Sequence, residues 1–195
     1  MAASTRRAAR PPRPGDADGF REAWAALERD WQKTLTRADG LAPHLLHERV
    51  DGEWSFVETL RHLLFVSDAW AARALLGREA TYHPLDLPPT GQRSSGIAVD
   101  HDARPTLPEV VALREERVAM VRHVLGGLTD DDLADGTVQV RGPGYPRAGR
   151  YPVRRCVQTL VAEEWQHREY AERDLAALAE RPRPGVPDDG LETGA

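Results

Sequence analysis

The sequence predicts an all-α fold, a four-helix bundle with a long connection between its second and third helices. Four stretches repeat apolar residues at spacings of three and four, the period of a helix with one buried face. No stretch of useful length alternates as a strand would, and no internal repeat is present. Four amphipathic helices of about 20 residues or more favour a bundle.

The first helix covers residues 17 to 38, where Phe20, Trp24, Leu27, Trp31 and Leu35 fall on one face. "GLAPHLLHERVDGEW" then breaks the pattern with Gly and Pro. The second opens at "SFVE", with Ser55 and Glu58 at capping-box spacing, and runs to Gly77. Its apolar residues nearly encircle the axis, with Val57, Leu60 and Leu64 on one side and Phe65, Val66 and Ala69 towards the other. Such a helix is buried on more than one side.

Residues 78 to 105 form a connection rich in Pro, Gly and Ser, of a length that often serves as a lid or binding loop. The third helix starts at "TLPE", a second capping box (Thr106 and Glu109) with Pro108 in the first turn. Val110, Leu113, Val121, Val124 and Leu128 make its inward stripe. After an irregular segment with a short extended piece at "TVQV", the fourth helix runs from about 152 to 180. Residues 17–180 therefore read as one domain. Residues 1–16 and 181–195, rich in Pro, Gly and charge, read as disordered extensions.

Composition narrows the function classes. The net charge is -5 with both signs interspersed, which argues against a nucleic-acid or anionic-membrane surface. No apolar run approaches the roughly 18 residues needed to span a bilayer. "TRR" near the start lacks the apolar region of an export signal. The one cysteine, Cys156, has no partner for an internal disulfide, which fits a reducing cytosol. Together these give a cytoplasmic protein. One lysine, one isoleucine and no asparagine read as the codon bias of a GC-rich bacterial genome.

Chemistry enters on the fourth helix. Val153, Leu160, Ala171 and Leu178 share a face, and His167 falls inside it. Glu163 and Asp174 lie towards one edge, Glu164 at the other and Tyr170 just outside. Glu163 and His167 are one turn apart and can point at one spot. A carboxylate facing a core is hydrated, paired or bound to a cation. An imidazole one turn away makes half of a transition-metal site, which bundles complete from a facing helix. His62 on the second helix has apolar neighbours all round; His123 sits beside Arg122, and His44, His47, His83 and His101 are in connections. The competing reading is a surface Glu–His pair beside a hydrogen-bonded core histidine, and periodicity alone leaves the two near even. Cys156 reads as a small core residue, and the five tryptophans as packing or interface residues.

"GEWSFVETLRHLLFVSDAWAARALLG", "YHPLDLPP" and "YPVRRCVQTLVAEEWQHREYAERDLAAL" together resemble the DinB-like superfamily of four-helix metal-binding proteins, over roughly residues 20 to 180. The likeness is greater to its branch of mycothiol-dependent thiol S-transferases, which includes a maleylpyruvate isomerase. The most specific parts are Trp-Ser-x-x-Glu-x-x-x-His on the second helix and Glu-x-x-x-His on the fourth. The resemblance implies a divalent metal, zinc or nickel, held by His62, Glu163 and His167. Glu164 departs from the pattern and is expected to support the site or pair nearby. It also implies mycothiol or a similar low-molecular-weight thiol as co-substrate, a small-molecule electrophile as its target, and a homodimer. The isomerase has a further carboxy-terminal domain that these 195 residues do not accommodate. The expectation is therefore of a related metal-dependent thiol S-transferase. Two alternatives stand beside it. One is a metal-binding protein of hydrolase-like or stress-related role without thiol chemistry. The other is a non-enzymatic dimeric binding module.

Overall fold

The computed structural model describes residues 13–79, 82–89 and 97–181. The expected extensions lie outside these residues, apart from 13–16 and Arg181. Helix α1 spans Ala17–Asp39, and Asp16 caps it by accepting the Gly19 N–H at 2.8 Å. A 3₁₀ turn at Pro43–His47 leads to α2, Phe56–Ser67, which continues as a π-helical stretch over Asp68–Leu75. Helix α3 spans Leu107–Gly126. The short helix α4, Asp130–Asp135, precedes strands β1, Thr137–Val140, and β2, Gly149–Pro152. Helix α5 spans Val153–Ala179 and is the predicted fourth helix.

The all-α expectation is met by a mostly helical chain, to which one antiparallel hairpin is added. Val140 pairs with Gly149 and Thr137 with Pro152. "TVQV", with three β-branched residues, is legible as extended; its partner "GRYP" is not, because Gly and Pro carry no strand preference.

Helix α1 packs on α3 and α5, and α2 packs on the same two. α2 is buried around its whole circumference from residue 59 to 74, as its apolar residues foretold. Ser55 caps it, accepting the Glu58 N–H, while the Glu58 carboxylate accepts the Ser55 N–H at 2.8 Å. Beyond Ser67 the backbone bonds lengthen by one residue; the Leu76 N–H reaches Ala71 O at 2.9 Å. π-turns of this kind widen the helix and change which side chains face a neighbour. Here the widened stretch brings Ala69, Ala71, Ala72 and Ala74 into the core and directs Arg73 at the later connection.

Arg73 is 4 % exposed and gathers backbone carbonyls: Arg141 O at 2.7 Å and Gly142 O at 2.9 Å. Gly142, at φ 70°, and Gly144, at φ 122°, take conformations that side chains disfavour. A Cβ on Gly144 would also lie 3.4 Å from the Arg73 guanidinium carbon. The earlier connection is gathered in the same way by Arg61, described below.

Candidate metal centre

His62 and the Glu163–His167 pair come from facing helices, α2 and α5. His62 is buried, Glu163 about one third exposed and His167 nearly buried. Glu163 Oε2 lies 3.1 Å from His167 Nε2 and 3.7 Å from His62 Nε2. One ligand atom from each of the three lies within 4.8 Å of the others, so the trio could hold a metal ion. Ligand atoms about 2.1 Å from one ion sit about 3.4 Å apart in tetrahedral geometry, a value that the two Glu163–imidazole distances of 3.1 and 3.7 Å bracket.

The chemistry of the donors fits as well. His62 Nδ1 is 2.9 Å from the carbonyl of Leu87. A carbonyl only accepts, so Nδ1 carries the proton and Nε2 presents its lone pair towards Glu163. This is the outer partner that metal-binding imidazoles generally have. The Glu163 carboxyl is lowered to about 2, chiefly by the hydrogen bond from His167, against the opposing effect of burial. As a candidate ligand it is charged at any physiological pH.

Trp54 closes one side. Its ring lies 4.6 Å from the His62 ring and stacks on His167 at 5.9 Å. Tyr170 meets His167 edge-on at 5.8 Å. From His167 a cavity of about 330 Å³ opens, lined also by Arg49, Glu53, Trp54, Thr59, Tyr170 and Asp174. Asp174 is 4 % exposed and takes the Arg173 Nε–H at 2.7 Å; Arg173 also holds Glu53 at 2.6 Å and lies over the Tyr170 ring.

The two adjacent glutamates part company. Glu164 is 2 % exposed and forms a bidentate pair with Arg114 of α3, one bond at 2.9 Å. Arg114 in turn lies 4.6 Å over the Trp31 ring. Both line a different cavity, of about 300 Å³, between α1 and α3. One residue of helical rotation thus separates a carboxylate that faces the trio from one locked in an ion pair. The expectation that Glu164 pairs nearby is met.

The remaining candidates lie elsewhere. His123 is exposed on α3, His44 and His47 sit on the 3₁₀ turn, and His83 precedes the buried Asp86. Cys156 is buried, and burial pushes its thiol up to about 11, so it is a core residue and no nucleophile. Sequence reasoning missed Trp54, which it took for packing, and the outer carbonyl of Leu87, since a backbone contact across 25 residues leaves no local signature. Tyr170 and Asp174 were visible as positions without a role, and Thr59, on the turn before His62, carried no signal of its own.

The family model described as DinB superfamily matches residues 26–171. No curated protein matches the chain. A crystal structure of a Streptococcus pneumoniae protein, a structural-genomics target, is similar in fold: TM-score 0.51 at 12 % identity, covering 81 % of this chain and 89 % of that one.

Proposed function

The chain belongs to the DinB superfamily, and from that premise we propose that it is a metal-dependent enzyme of the thiol S-transferase type. In this reading the four long helices are the superfamily's four-helix bundle, and the ion, zinc or nickel, is held by His62, Glu163 and His167. The observation that carries it is the trio itself: three buried or half-buried ligands from two helices, with a cavity at His167. Structural zinc sites take four protein ligands, whereas catalytic ones keep a position for substrate. What the metal supplies when bound is Lewis acidity, which lowers the pKa of a thiol towards neutrality.

The protein's own groups do the rest. Leu87 fixes the His62 ring, and Trp54 covers one side of both imidazoles. The cavity receives a small-molecule electrophile and a thiol such as mycothiol between Trp54, Thr59, Tyr170 and Asp174. The buried Asp174 carboxylate offers an acceptor to hydroxyl or amide groups of either. No described helix is long and apolar enough to cross a membrane. We place the protein in the cytoplasm, as a homodimer acting on small molecules.

The test is thiol conjugation of a generic electrophile such as 1-chloro-2,4-dinitrobenzene, with mycothiol, glutathione or no thiol, before and after chelation. The reading requires conjugation that needs both thiol and metal and prefers one thiol. A rate indifferent to the thiol removes the transferase and leaves a metal-dependent protein of other role.

A further inference from the structure

Arg61 is the residue before His62, and it is 1 % exposed. Among the described residues no carboxylate pairs with it. Its guanidinium is satisfied by three backbone carbonyls of the long connection: Nε to Leu85 O at 2.8 Å, Nη1 to Ala103 O at 2.8 Å, and Nη2 to Asp100 O. These acceptors come from both arms of the connection, which also bond to each other through the Asp100 N–H and Pro84 O at 2.8 Å. The connection then returns to α2. The Leu87 N–H bonds Arg61 O at 3.2 Å, and Leu87 O takes the His62 Nδ1 proton at 2.9 Å.

These contacts form a closed circuit. Arg61 holds the connection, the connection presents one carbonyl, and that carbonyl fixes which nitrogen of His62 carries the proton. We infer that Arg61 is a positioning residue of the metal centre: by clamping Leu85, Asp100 and Ala103 it holds the Leu87 carbonyl on His62 Nδ1, leaving Nε2 free to ligate. A buried charge with only carbonyl partners is costly to keep, and an apolar side chain would serve packing alone. In this position the cost sustains a hydrogen bond that a metal ligand needs. A guanidinium suits the task because its five N–H groups diverge in a fixed plane and reach three separate carbonyls at once; a lysine reaches fewer in that geometry.

The fold supplies a control. Arg73 on the same helix is as buried and clamps the other connection, through Arg141 and Gly142, with no hydrogen bond to the trio. A merely structural clamp would make the two arginines equivalent.

Two readouts on the full chain separate this inference from the metal reading on which it partly rests. The first needs no metal. Long-range ¹H–¹⁵N correlation on metal-free protein with labelled histidine, the His62 signals assigned by their loss in His62→Ala, reports the tautomer. Wild type and Arg73→Gln are expected to show the Nδ1–H form, and Arg61→Gln a mixture. The second is chelator competition with zinc alone: Arg61→Gln is expected to bind roughly ten- to a hundredfold more weakly, Arg61→Lys to fall between, and Arg73→Gln to match wild type. An Nε2–H tautomer in wild type overturns the inference, whatever the variants do. So does zinc affinity lost equally in Arg61→Gln and Arg73→Gln at equal loss of Tm. An unchanged Nδ1–H tautomer in Arg61→Gln also overturns it; if Arg61→Gln shows the mixture while wild type binds no zinc, the clamp stands and the metal reading falls.

Discussion

Glu163 and Glu164 are one peptide bond apart and differ in everything that matters. The first sits between two imidazoles; the second is spent on Arg114. Replacing each by glutamine therefore has different consequences. Glu163→Gln removes the charged candidate ligand, and divalent-metal affinity is expected to fall by at least about a hundredfold, more than for loss of an outer partner, so that metal content after reconstitution drops. His62→Ala and His167→Ala are expected to do the same. Glu164→Gln is expected to leave metal content in place and to lower stability, by about 3 kcal/mol or more, because it strands the buried Arg114 charge. Elemental analysis together with urea denaturation checks both halves. A Glu164→Gln protein that folds as well as wild type but carries no metal would exchange the two roles.

At the scale of elements, the capping box of α2 was legible as Ser-x-x-Glu, and the structure forms it as written. Ser55→Ala is expected to cost about 1 kcal/mol, a figure typical of lost N-caps, read as a drop in the urea midpoint. The connection that docks on this helix holds a less ordinary feature. Asp86 is fully buried against Asp68, with Arg117 of α3 bonded to Asp68 at 3.2 Å. Asp86 Oδ2 accepts the His83 N–H at 3.2 Å, while its Oδ1 is buried without a hydrogen-bond partner among the described residues, so the charged carboxylate is poorly compensated. Burial first, and the charge of Asp68 second, push Asp86 up to about 8 from an ordinary value of 3.8. The folded protein thus holds a proton that the unfolded chain releases. The stability this group supplies is complete below about pH 4 and is lost as pH rises through 8. Asp86→Asn, which mimics the protonated acid, is expected to flatten the fall of Tm between pH 5 and pH 8. Parallel curves for variant and wild type would exclude it.

At the scale of the whole molecule, a bound metal would stabilise the fold by mass action. A metal that binds only the folded state at a hundred times its dissociation constant stabilises by about 2.7 kcal/mol. For a domain of this size that is roughly 5 to 10 °C in Tm. Addition of zinc or nickel to chelated wild type is expected to give that shift, and addition to His167→Ala none. Helix α5 ties the parts together, since it supplies two of the three candidate ligands, pairs with Arg114 of α3 and packs on α1 and α2.

The sequence by itself determined the long helices, to within a residue or two for α1, α3 and α5, and marked His62, Glu163 and His167 as the polar residues to watch. Helix periodicity is a local property, and an i, i+4 pair on one helix can be read without knowing what faces it. The hairpin partner and the π-helical end of α2 escaped, since each depends on neighbours; α4 escaped because six residues are too short to show a helical period, although Thr129 and Asp132 cap it. Only the tertiary structure decided that Glu164 is locked to Arg114, that His62 Nδ1 is held by Leu87, and that Arg61 and Asp86 are buried where charge is expensive. Those facts depend on contacts between residues 18 to 101 positions apart, such as Asp86 with Asp68 and His62 with Leu87 and Glu163. Burial and pairing are properties of the space between elements. A sequence pattern records which residues turn inward, and packing decides what they meet.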